Sequence, residues 1–106
     1  MDQVQRREQR SKQRFAVQLS VLVTDPETGH DLEGVTRDVS ANGISFNVDE
    51  WPYTRSMISF RLTFPYEVTL LACSHAVCSG TVMRIERRAQ GEATIAASID
   101  SYQLGC

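Results

Sequence analysis

From Phe15 the chain alternates apolar and polar residues with period two. Phe15, Val17, Leu19, Val21 and Val23 share one face, and Gln18, Ser20 and Thr24 are among those on the other, which is the signature of a half-buried β-strand. Asp25-Pro26-Glu27-Thr28-Gly29 reads as a turn, with Pro26 fixing φ and Gly29 admitting a left-handed residue. A second strand is predicted over Glu33 to Val39 and a third over Gly43 to Val48. In the fourth, Ile58, Phe60, Leu62 and Phe64 alternate with Ser59, Arg61 and Thr63 until Pro65 stops the run. Between the third and fourth, residues 49 to 55 form a connection that lays Trp51 and Tyr53 over an end of the core. Residues 66 to 74 read as a loop, although Val68 to Ala72 also admits a strand extension. A long strand follows from His75 to Glu86, in which Gly80 marks a bulge or a close approach. After a polar hairpin connection (Arg87 to Gly91), Ala93 to Ile99 is the last strand, and Tyr102 and Leu104 are expected to pin the tail. Six strands with no convincing helix predict an all-β domain, a small six-stranded antiparallel β-barrel whose closure removes exposed edges.

With 106 residues the chain is one domain, long enough to bury about two thirds of its unfolded surface. Residues 1 to 13 carry only Met1 and Val4 as apolar side chains, too few to offset the entropy of ordering them, so a mobile arm (1–14) is expected ahead of the barrel (15–106). Charge follows the same division. Arg6, Arg7, Arg10, Lys12 and Arg14 against Asp2 and Glu8 give the arm +3, and the total of −2 leaves −5 for the body. An anionic partner should therefore meet the arm. There is no run of 18 apolar residues and the N-terminus is charged, so no membrane partner and a cytoplasmic location are expected. Cys73, Cys78 and Cys106 are an odd set without framework spacing, which suits a reducing compartment.

Catalytic chemistry finds no candidates. No G-x-S-x-G, H-E-x-x-H or phosphate-loop motif is present, so no enzyme and no cofactor are expected. Cys73, His75 and Cys78 lack a fourth ligand at usual spacing, and the remote His30 does not supply one, so no metal site is expected. Phe15, Phe46, Trp51, Phe60 and Phe64 fall at strand spacing, as core or core-edge residues before they are a platform for bases.

Two polar motifs remain. Asp38-Val39-Ser40-Ala41-Asn42-Gly43 joins two predicted strands and holds a carboxylate, a hydroxyl and an amide where two or three residues would make a turn. As a bare hairpin, Asn42-Gly43 would supply φ > 0 and nothing more. Upstream, Arg10 and Arg14 form an R-x-x-x-R pair just before Phe15. Arg10-x-x-x-Arg14 followed by Asp38-x-Ser40-x-x-Gly43 resembles the PilZ family of bacterial cyclic di-GMP receptors, and the strands around both motifs fall where PilZ domains have theirs. The resemblance implies a six-stranded barrel, often followed by a helix for which little chain remains after Ile99. It implies that Arg10 and Arg14 take the phosphates or guanine edges of cyclic di-GMP, that Asp38 accepts from guanine N1 and N2, that Ser40 holds guanine or phosphate, and that Gly43 lets the backbone approach the ligand. Arg7, Gln9 and Asn42 are secondary candidates, and Arg37 reads as a solvated strand residue. The arm is expected to close over the ligand and a downstream protein partner to read the result. Two alternatives stand beside this reading. One is a small barrel binding nucleic acid through the arm, which the acidic body disfavours. The other is a degenerate PilZ-like domain binding only protein, against which the intact motifs argue.

Overall fold

The computed structural model describes residues 14–54, 56–65 and 74–105; the predicted arm ahead of Arg14 and the loop at 66–73 lie outside the described residues. Among the described residues seven strands form: β1 (Ser20–Thr24), β2 (Asp31–Ser40), β3 (Gly43–Val48), β4 (Met57–Thr63), β5 (His75–Arg87), β6 (Ala93–Ser98) and β7 (Ser101–Gly105). All neighbouring strands are antiparallel. Six close into the expected barrel in the order β4–β1–β2–β3–β6–β5, with β5 returning to β4. Among the described residues the only helical piece is a 3₁₀ turn, Ala89–Gly91, and no helix is long and apolar enough to cross a membrane.

The period-two pattern works because alternate side chains of each strand meet inside. Val21, Val23, Ile44, Phe46, Ile58, Phe60, Leu62 and Ile95 are buried, and each large apolar side chain so placed contributes about 1.5–3 kcal/mol. Trp51 and Tyr53 cap one end as expected. The Trp51 ring lies 4.9 Å from Tyr53 and 6.0 Å from Phe46. The Tyr53 hydroxyl donates to the His30 carbonyl at 3.2 Å. Burial, helped by the nearby carboxylates of Asp25, Asp31 and Glu50, pushes the Tyr53 pKa above its ordinary value, so it remains a donor at neutral pH. Gly80 is a close-approach point: a Cβ there would collide with the carbonyl oxygen of Ser98 on β6. Gly29 is left-handed, at φ 76°, as its turn required.

Three expectations need correction. The first strand begins at Ser20, not Phe15. Between them the backbone is held by a side chain: the Thr36 hydroxyl donates to the Val17 carbonyl at 2.5 Å and accepts from Leu19 N–H at 2.7 Å. Phe15 pairs only through an isolated bridge to Val39 and is 59% exposed, so it is not core. A seventh strand was not predicted. β7 continues β6 along β5, pairing Tyr102 with Cys78 and Leu104 with Ala76. The tail is therefore pinned by its backbone, while the Tyr102 and Leu104 side chains are half or more exposed.

Candidate functional site

The register of β2 against β3 decides which side chains reach the outer wall. Gly34 opposes Val48 and Thr36 opposes Phe46, but Asp38 opposes Ser45 and Val39 opposes Ile44, so Arg37 is an extra residue, a β-bulge. Unbroken alternation from Leu32 through Gly34 and Thr36 would send Asp38 into the apolar interior, where an unpaired carboxylate is strongly disfavoured. The bulge reverses the alternation. Val39 packs against the core beside Ile44, and Asp38 comes out onto the wall.

Arg14 meets it there. Reciprocal backbone hydrogen bonds between Phe15 and Val39, at 2.8 and 3.0 Å, fix the chain just ahead of the barrel. From that anchor Arg14 Nε donates to Asp38 Oδ1 at 2.6 Å, and Nη2 lies 2.5 Å from the same oxygen. The two side chains are 46% and 32% exposed, a setting in which an ion pair adds at most about 1 kcal/mol to stability. Its effect is on geometry: the guanidinium is held against the wall. No described residue donates to Asp38 Oδ2, which is left to accept from another molecule.

The turn that follows is organised by Ser40. Its hydroxyl, 5% exposed with its residue, faces both Asn42 Oδ1 and the Gly43 carbonyl at 3.3 Å. The Asn42 carbonyl accepts from Ile99 N–H at 3.0 Å, tying the turn to the end of β6. The positive φ that a bare hairpin would need at Asn42-Gly43 is absent; the left-handed residues among those described are Gly29, Gln90 and Gly91. Gly43 matters for a different reason. A Cβ there would stand 3.3 Å from Arg14 Nη1, closer than ordinary van der Waals contact, so the guanidinium would have to give by a few tenths of an ångström. The structure thus brings together Arg14, Asp38, Ser40, Asn42 and Gly43, whereas Arg7, Gln9 and Arg10 lie outside the described residues. Arg37 is a bulge residue and not an ordinary solvated strand position, and the signal for it lies in the alternation, which would otherwise bury Asp38 and expose Val39. Beside the pair, Ala16, Gln18, Val35, Thr36, Arg37 and Asn47 line a groove of about 720 Å³.

Elsewhere the chemistry is quiet. Burial pushes the Cys78 thiol up to about 11, so it stays protonated at neutral pH and behaves as a small core residue. Among the described residues no group of three or more His, Cys, Asp or Glu side chains could hold a metal ion; Cys73 lies outside them.

Comparison with known proteins gives one family. A family model described as the PilZ domain matches residues 5–104. Among solved structures, the inhibitor of motility MotI/DgrA of Bacillus subtilis is 14% identical with a TM-score of 0.65, over 85% of this chain and 41% of its own. The PilZ domain of CeSA from a cellulose-synthesizing bacterium is 17% identical with a TM-score of 0.56, over 84% of this chain and 83% of its own. At these identities the likeness is one of fold. The chain spans less than half the length of MotI/DgrA. No curated protein sequence matches the chain.

Proposed function

The chain belongs to the PilZ domain family, and we propose that it is a receptor for cyclic di-GMP. PilZ domains are in general cyclic di-GMP receptors or adaptors and typically non-catalytic. The observation that carries the reading for this chain is the Arg14–Asp38 pair, held on the barrel wall beside Gly43 and the Ser40 turn. A guanidinium offers paired N–H donors that match a phosphate or the O6/N7 edge of guanine. An ionised carboxylate with one oxygen open suits the N1–H and N2–H₂ donors of guanine. In this reading Asp38 has two tasks, presenting Arg14 and reading the base, and Ser40 keeps the turn in shape beneath the ligand. Arg10 supplies the second guanidinium and the arm closes over the ligand. A downstream protein then senses the ordered arm or the altered charge of the wall.

Calorimetric titration with cyclic di-GMP, with GTP and single-stranded DNA as controls, tests the function. Saturable binding of cyclic di-GMP alone is expected, and binding of DNA in its place would favour a nucleic-acid barrel. Arm closure has a separate readout. Residues 6 to 13 should exchange amide hydrogens near the unprotected rate in the free protein and become protected on adding cyclic di-GMP, while Phe60 to Leu62 in β4 change little. Equal protection of the arm with and without ligand would rule out ordering as the output.

A further inference from the structure

We propose that Arg37 is an additional ligand-contacting cation, and that the groove beside it takes the part of the cyclic dinucleotide lying away from Arg14. The inference rests on the receptor reading above and adds a contact that neither motif contains. Three observations carry it. First, the bulge changes which face Arg37 shares. In a regular strand, neighbours 37 and 38 would point to opposite faces; with Arg37 as the inserted residue, Arg37 is exposed and Asp38 also reaches the wall, so the two stand side by side on its outer face. Second, Arg37 makes no ion pair or side-chain hydrogen bond with any described residue, so its five donors are open to an anion. It is the nearest cation along β2 to the Arg14–Asp38 pair in a body whose formal charge is negative, so it raises the local potential where an anionic ligand would sit.

Third, the groove it helps to line has the character of a nucleotide site. Val35, 46% exposed, gives an apolar floor on which a base or ribose can rest. Asn47, directly across from Val35, accepts from the Thr94 hydroxyl at 2.7 Å through Oδ1, which fixes its amide and leaves the Nδ2 donors open. Gln18 adds a second amide on the opposite bank. An apolar floor, two amides and a guanidinium next to the Arg14–Asp38 pair provide for a second base and a phosphate together. The 720 Å³ available is in the range of small-molecule sites, which run to about 1,000 Å³.

The test is calorimetric titration of cyclic di-GMP into the parent protein and into Arg37→Gln and Arg37→Lys variants, at low and at physiological salt. Arg37 is exposed and makes no ion pair or side-chain hydrogen bond with a described residue, so the variants should melt with the parent. Arg37→Gln is expected to bind about fivefold to thirtyfold more weakly, with a shallower salt dependence than the parent because one charge contact is gone. Arg37→Lys should recover part of the affinity by restoring the charge without the fork. If the parent binds cyclic di-GMP and Arg37→Gln binds within twofold of it at both salt concentrations, the contact is refuted while the receptor reading stands. If the parent does not bind the dinucleotide at all, the receptor reading fails and this contact falls with it.

Discussion

Arg14→Ala is expected to weaken cyclic di-GMP binding by about tenfold to a hundredfold, because it removes charge-assisted hydrogen bonds worth roughly 1.5–3 kcal/mol. The barrel should be nearly unaffected. Arg14 precedes the first strand and is 46% exposed, and the partner it leaves behind is a carboxylate that water can reach. Thermal melting should accordingly move little, which separates loss of a ligand contact from loss of the fold. Arg14→Lys refines the test. A lysine keeps the charge but cannot set two parallel donors against a phosphate or a guanine edge, so it should recover only part of the lost affinity. Titration giving Arg14→Ala the affinity of the parent would mean that this arginine only braces Asp38.

Asp38→Ala should do more, since it acts on specificity as well as affinity. With Oδ1 occupied by Arg14 and Oδ2 open, the carboxylate presents an acceptor to the incoming base. Guanine answers with the N1–H and N2–H₂ donors, whereas adenine presents its own N1 acceptor, and two facing acceptors leave a polar atom unsatisfied at a cost of roughly 1–3 kcal/mol. The parent protein should therefore prefer cyclic di-GMP to cyclic di-AMP by about tenfold to a hundredfold. In Asp38→Ala that preference should collapse. Affinity for cyclic di-GMP should fall at least as far as in Arg14→Ala, because the guanidinium loses the oxygen that holds it to the wall. The measurement is a pair of titrations on each protein, and a parent protein that binds both dinucleotides equally would sink the guanine-reading role.

Most strand positions were legible because apolar alternation and its interruptions report directly on which residues can face a common core. β3 lies where the pattern placed it, and β2, β4, β5 and β6 begin and end within two residues of their expected limits. What escaped the pattern has a common cause: backbone pairing that no buried side chain marks. β7 is exposed at four of its five residues, because it runs past the barrel beside β5 and not across the core. Phe15 looks like the start of a strand, yet the Thr36 hydroxyl takes the Val17 carbonyl and the Leu19 N–H in place of a regular ladder, and the ring stays outside. The candidate site was legible in its residue types but not in its geometry. Arg14, Asp38, Ser40 and Gly43 could be named as candidates through the family resemblance that the two motifs carry. That Gly43 lies against the Arg14 guanidinium, and that Arg37 is the residue whose insertion turns Asp38 outward, depends on contacts and a strand register that only the folded chain defines.

The route by which the barrel closes also governs how quickly the protein can form. Two of its seams join residues far apart along the chain: Ser20 against Thr63 where β1 meets β4, and Gly43 against Ser98 where β3 meets β6. Neither seam can be nucleated by a tight turn. The chain must lose the entropy of large loops before those ladders repay it, which places refolding on the slow side, about milliseconds to seconds. The β1–β2, β2–β3 and β5–β6 hairpins can each assemble from neighbours in sequence before the ring is complete, and β2–β3, which carries Asp38 and Ser40, has the shortest connection of the three. The turn that follows Asp38 is thus among the earliest pieces able to form, while Arg14 can take its seat only once Phe15 has found Val39. During synthesis or after stress, the Arg14–Asp38 pair would therefore form later than the hairpin that carries Asp38.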